Sequence, residues 1–256
     1  MKIGIIGVGK MGTAIVRALI QSYNPFTMYI HDKNEKAINT LKEEYKLNTG
    51  SVEEVIKNSD VIILAIKPQD FQDLKIDSNK LFISIMAGVT IETLKNKLNS
   101  EKIVRVMPNL ACLVQESTSA FTVSDAVNEK EKLFVTDLLN KFGDSVEVEE
   151  ESMDAVTGLS GSGPAYVSYF IKALAHAGIE QGLTSEQARA LAIQTVKGTA
   201  ILLKDKNLCP KMVIGMVASK GGTTEQGMKV LENSDFEKTV FEAVKKATKK
   251  SKELGK

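Results

Sequence analysis

The sequence predicts an α/β fold: a doubly wound, mainly parallel sheet over residues 1–152, followed by an all-helical segment over 153–256. Three observations lead there. Up to about Val148, short β-branched runs alternate with longer amphipathic ones, the pattern of strand–helix–strand crossovers. The strand runs are apolar at every position, as in VIILAI (61–66), which suits strands covered by helices on both faces. Beyond about Glu150 such runs stop and only helical periodicity continues.

In chain order, strands are expected at 2–6, 27–31, 61–66, 81–85 and 103–107. Asp32 with Glu35, and Ser51 with Glu54, have the spacing in which a side chain caps a first turn and an acid three residues on reaches back. The stretch 164–178 (PAYVSYFIKALAHAG) is apolar almost all round, with Lys172 its only formal charge at neutral pH. A helix of that kind is expected to be buried within its domain or against another subunit, so a homo-oligomer is expected. Helices follow at 184–203, opened by a Thr184–Gln187 capping box, at 211–218, from about Glu225, and last from a Ser234 cap with Glu237.

Composition narrows the function classes. The 256 residues are 43% hydrophobic and 25% charged, and 33 Lys and Arg against 32 Asp and Glu leave a formal charge of +1. A chain so balanced has no global field to gather nucleic acid or anionic membrane, and neither is expected as a partner. Lys245, Lys246, Lys249, Lys250 and Lys252 read as cations that solvate the end of the last helix and complement its dipole. Cys112, Cys209, His31 and His176 are too few and too scattered for a disulfide framework or a zinc site, and no metal is expected. The opening MKIGIIGVGKMG is broken by Gly4, Gly7, Gly9 and Lys10 and lacks a cleavage site, and no apolar stretch reaches membrane-spanning length; a cytoplasmic protein is expected.

Residues 7–12, GVGKMG, fit G-x-G-x-x-G between an expected strand and an expected helix, the context of a dinucleotide-binding turn. Gly7 permits the tight turn, Gly9 lets main chain approach pyrophosphate, and Gly12 lets helix and strand pack closely; phosphates then meet unpaired N–H groups at the helix start. Asp32 ends the second strand, where an acid takes the ribose hydroxyls of NAD, and it reads equally well as the cap of the next helix. A carboxylate there repels the extra phosphate of NADP, while His31 and Lys33 offset it, so the choice between NADH and NADPH stays open. Ala65, Ile66, Lys67 and Pro68 end the VIILAI run at the carboxyl edge of the sheet, where such folds bind ligands.

VTGLSGSGPAY (156–166), VASKGGTTEQGMKVLE (217–232), LAIKP (64–68) and RVMPN (105–109) together resemble pyrroline-5-carboxylate reductase, along nearly the whole chain and in the family's order. The resemblance implies an N-terminal Rossmann domain, a C-terminal all-helical domain that dimerises by interlocking helices, and often higher oligomers built from dimers, decamers among them. It implies reduction of L-1-pyrroline-5-carboxylate to L-proline by NADPH or NADH, the last step of proline biosynthesis. By position, Ile6, Gly7, Val8, Gly9, Lys10 and Met11 would line the cofactor phosphates. Ala65, Ile66, Lys67, Pro68, Met86, Ala87 and Gly88 would flank the nicotinamide, and Gly222, Thr223 and Thr224 would hold substrate, with Glu150 at a substrate-adjacent position. Two departures stand out: Lys220 replaces a common Pro before the paired glycines, and Asp32 fits an NADP-preferring pattern poorly.

The chemistry suits these residues. The substrate the resemblance implies is a small ring with one carboxylate and a C=N bond, and Gly221, Gly222, Thr223 and Thr224 before an expected helix offer successive main-chain N–H groups to an anion. Hydride transfer asks mainly for alignment, so a Thr224 hydroxyl that hydrogen-bonds the ring nitrogen and relays a proton suffices. An ordinary helix turn capped by Thr224 is the bland alternative. Ser160 and Ser162 have no His–Asp partnership in evidence, and LSGSGP reads as a loop entering the next helix. A β-hydroxyacid dehydrogenase is disfavoured because the first lysine after Gly163 is Lys172, without an asparagine one turn later; a non-catalytic nicotinamide-binding regulator has no use for GGTT.

Overall fold

Parallel strands buried on both faces dominate the computed structural model, which describes residues 1–254 apart from Lys75; residues 255 and 256, the end of the expected helical segment, lie outside the described residues. The described residues hold β1 (Ile3–Ile6), β2 (Met28–His31), β3 (Asn48–Thr49), β4 (Val61–Leu64), β5 (Leu81–Ser84), β6 (Ile103–Met107), β7 (Ser117–Val123) and β8 (Gly143–Glu147). They lie in the order β3-β2-β1-β4-β5-β6-β7-β8, parallel at every pairing except β6 with β7. The order reverses direction at β1, between β2 and β4, which opens a crevice outside the carboxyl ends of those strands.

The continuous apolar runs have the expected cause. Val61 and Ile63 of β4 point into one core, with Ile15 and Leu19 of α1 (Lys10–Ile20), Leu41 of α2 (Glu35–Tyr45) and Leu138 of the helix Glu129–Leu139. Ile62 and Leu64 point into another, with Val55 of α3 (Val52–Asn58), Phe71 of α4 (Pro68–Phe71) and Leu94 of α5 (Ile91–Leu98). The helix Glu129–Leu139 is α6. The run 61–66 pairs only as far as Leu64, so Ala65 and Ile66 are released to the crevice.

Helix starts follow the capping chemistry with two corrections. The Ser51–Glu54 and Thr184–Gln187 capping boxes are both closed. Asp32 does not cap α2; Asn34 does, its side chain accepting from Lys36 N. Ser234 accepts from Phe236 N but stands one residue too early to cap the last helix, which begins at Phe236.

The helical part comprises α7 (Met153–Val156), a π-helical turn (Thr157–Gly161) where a loop was expected, α8 (Gly163–Glu180), α9 (Ser185–Asp205), α10 (Pro210–Val217), α11 (Thr223–Glu232) and α12 (Phe236–Leu254). The chain forms two compact units, Met1–Ser162 with the chain from Lys245 onward, and Gly163–Val244. The first unit extends past residue 152 because Met153 is fully buried with Met107 and Ala120, and because Ser251 Oγ of α12 donates to Asp154 Oδ1 at 2.6 Å. Within the second unit α8 and α9 meet closely: a Cβ on Gly178 would lie 3.3 Å from that of Ala188. No residue of α8 is buried within the chain itself. Among the described residues no helix is long and apolar enough to cross a membrane.

Candidate active site

The glycine loop between β1 and α1 has the shape its sequence requires. Gly7 sits at φ +99°, and a Cβ there would strike the Ala65 carbonyl oxygen at 2.6 Å, while a Cβ on Gly12 would lie 2.0 Å from the Gly7 carbonyl oxygen. Any side chain at either position forces loop, helix and strand apart. Gly9, by contrast, faces open space, and as the N-cap of α1 it provides no side-chain acceptor. The N–H groups at the start of α1, beginning with Lys10 and Met11, therefore have no intrahelical acceptor, and no acid shares that turn. This is a cradle for an anion, and a dinucleotide's pyrophosphate fits it.

A cavity of about 420 Å³ opens from this loop along the crevice. Ile6, Gly7 and Gly9 line one part, Asp32 and Lys33 the end of β2, and Ala65, Ile66 and Lys67 the end of β4. Val8, Lys10, Met11 and Gly12 shape the loop without lining the cavity, and Pro68 starts α4 behind it. Met86, Ala87 and Gly88 lie outside the lining too: the Met86 side chain is core, its N–H donates to Ser84 Oγ at 3.3 Å, and Gly88 turns the chain at φ +77°.

Asp32 holds the loop together. Its Oδ2 accepts from Val8 N at 2.6 Å and its Oδ1 from Asn34 N at 2.8 Å, so the carboxylate ties the glycine loop to the end of β2. Each oxygen retains a lone pair toward a ribose hydroxyl. His31 donates from Nδ1 to the Gly50 carbonyl at 2.9 Å, which fixes the ring at the cavity edge. Sequence reasoning did not single out Asn34, Asp70 or Leu74, all of which line the cavity.

In the second unit Gly221 lies at φ +77° and Gly222 is the N-cap of α11, without a side-chain cap. Thr224 is the second helical residue, so it is not the cap of an ordinary turn. Gly222 N donates to Ser219 O at 3.0 Å and Gly221 N to Glu225 Oε2 at 2.8 Å, which folds the turn and holds the Glu225 carboxylate on Gly221 N just before the helix. The amides of Thr223, Thr224 and Glu225 are the first-turn donors that helix geometry leaves free. Thr223 is exposed and Thr224 half-buried.

Glu150 has partners within its own unit. Its Oε1 accepts from Ile91 N, the first residue of α5, at 2.7 Å and from Arg105 Nη1 at 3.1 Å. Arg105 is 3% exposed, and its Nε has no hydrogen-bond partner among the described residues. Cys112 is buried in the core, which pushes its thiol up to about 12 and leaves no thiolate for chemistry. His176 stands 74% exposed on α8.

Two family models match the chain, "Pyrroline-5-carboxylate reductase dimerisation" over residues 150–254 and "NADP oxidoreductase coenzyme F420-dependent" over 2–88. A pyrroline-5-carboxylate reductase of Aquifex aeolicus is 39% identical over 258 residues, 99% of this chain and 97% of that one. One from Arabidopsis thaliana is 36% identical over 99% of this chain and 95% of its own. Among solved structures, pyrroline carboxylate reductase from Plasmodium falciparum with NADP bound is 34% identical and superposes with a TM-score of 0.88, covering 100% of this chain and 98% of its own. The Coxiella burnetii pyrroline-5-carboxylate reductase is 30% identical with a TM-score of 0.91 over the same shares. With the nucleotide crevice, the GGTT turn and full-length likeness in hand, the chain belongs to the pyrroline-5-carboxylate reductase family.

Proposed function

We propose that this chain reduces L-1-pyrroline-5-carboxylate to L-proline with NADH or NADPH. The observation that carries the reading is the start of α11, where a positive-φ glycine and a glycine cap leave three amides and the Thr224 hydroxyl available to a small anion. The amides of Thr223, Thr224 and Glu225 hold the substrate carboxylate, helped by the positive end of the helix dipole. Gly222 keeps side-chain bulk out, so the ring approaches the main chain.

Residues 6–11 hold the cofactor phosphates, Asp32 and Lys33 the adenosine ribose, and residues 65–68 and 86–88 flank the nicotinamide side. When bound, the reduced nicotinamide supplies the hydride for the C=N carbon. Where the imine arrives neutral, the Thr224 hydroxyl donates to the ring nitrogen and passes on a proton from water; an imine that arrives protonated becomes a neutral amine on taking the hydride and needs no acid. We assign Glu150 to bracing the start of α5, which follows the Met86 loop, through its bonds to Ile91 and Arg105.

The chain works as a homo-oligomer that pairs through the helical segment, supported by the dimerisation model over 150–254 and by the bare apolar face of α8. Cytoplasmic residence is supported by two free cysteines, Cys112 and Cys209. The test is loss of reduced-nicotinamide absorbance when the purified chain meets pyrroline-5-carboxylate, with proline as product. Flat absorbance with both cofactors overturns the reading in favour of a non-catalytic nicotinamide-binding protein.

A further inference from the structure

The geometry points to Asp70 as a specificity-determining residue that sets the choice between NADH and NADPH by occupying Lys33. Lys33 stands two residues past the end of β2, next to Asp32, where an adenosine 2′-phosphate reaches when a dinucleotide lies with its pyrophosphate on the glycine loop. Asp70, on α4 beyond the end of β4, faces it across the crevice: Lys33 Nζ lies 3.4 Å from Asp70 Oδ1, and both residues line the cavity. The charges around that cavity are Lys33 and Lys67 against Asp32 and Asp70, with His31 fixed by its Nδ1 bond to Gly50.

These groups are not equivalent. Asp32 is committed to Val8 N and Asn34 N, so it remains an acid at the ribose whatever cofactor arrives. Lys33 is the mobile cation, 70% exposed on a flexible stem, and it is free to meet a 2′-phosphate only when it leaves Asp70. NADH makes no such demand, because its ribose hydroxyls need an acceptor, which Asp32 provides. Asp70 thus acts through Lys33 and holds the cleft toward NADH, while Lys33 keeps NADPH admissible.

The inference rests on the reading of the cleft as a dinucleotide site. Its test is the ratio of kcat/KM for NADPH to that for NADH in the wild type, Asp70→Asn, Lys33→Met and the double variant, with the two binding constants measured separately by NADH and NADPH fluorescence titration. A ratio taken within one variant is insensitive to how much of it is folded. The expected result is a roughly three- to fivefold rise for Asp70→Asn, of the size of an exposed ion pair, a fall for Lys33→Met, and no effect of Asp70→Asn once Lys33 is gone. The rise shrinks with added salt. An unchanged ratio in Asp70→Asn overturns the inference, and so does an equal rise with and without Lys33, which would mean direct repulsion by Asp70. Cofactor binding that obeys the cycle without pyrroline-5-carboxylate turnover would instead count against the functional reading alone.

Discussion

The two units of this chain spend their apolar residues in opposite ways. In the nucleotide unit Ile63, Phe82, Leu94 and their neighbours are sealed between the sheet and its helices, at 1% exposure or less. In the helical unit, among the described residues, only Ala188 and Ala192 are buried hydrophobics, while Tyr169, Met216, Val230 and Phe241 stand at 63–73%. An apolar cavity of about 540 Å³, lined by Tyr166, Tyr169, Phe170 and Val240, is open along α8 and α12. A sequence that invests so heavily in apolar residues without a core of its own is written for a second copy. The first unit buries its apolar residues within one chain; the second leaves most of its own bare.

Four variants break or sharpen this contrast. The largest effect is expected from Phe170→Asp, which puts an unpaired charge on the α8 face. Association should weaken by roughly a thousandfold or more in sedimentation, with turnover lost and NADH fluorescence titration of the first unit's cleft unchanged. Ile63→Ala strikes the other kind of core. It should cost about 2–5 kcal/mol in urea unfolding at every protein concentration, because that core belongs to one chain. Thr224→Ala should lower turnover about 10–100-fold without moving the melting temperature, since the hydroxyl is asked for proton relay and not for packing. Smallest is Ser51→Ala, which opens the α3 capping box in the self-sufficient unit: about 1 kcal/mol of stability and an unchanged rate.

How much of this was legible in the sequence follows the same divide. The strands of the sheet centre could be read because both faces bury side chains, so their apolar runs are unbroken. β3, β7 and β8 could not. β3 has two residues, β8 reads GDSVE, and β7 buries Ser117, Ser119 and Thr122 among its apolar positions; pairing, not hydropathy, makes them strands. Asn128 with Glu131, a closed capping box at α6, was a signal within reach. In the crevice, the glycine loop was legible because its glycines sit at the fixed spacing of a strand–turn–helix, with Gly12 demanded by the Gly7 carbonyl five residues back. Asp70 was not, because its meeting with Lys33 spans 37 residues of sequence and depends on one turn of α4 beyond β4. Asp32 offered ribose contact or capping. Its bonds to Val8 and Asn34 remove the cap and leave the ribose role as proposed.

The most direct measurement of the claim that the second unit is completed by a partner is pyrroline-5-carboxylate reductase activity followed across a protein dilution series, with sedimentation velocity on the same samples. The account predicts that specific activity falls in step with the dissociation of the dimer and returns on concentration. Full specific activity in a sample that sediments as a single chain would contradict it.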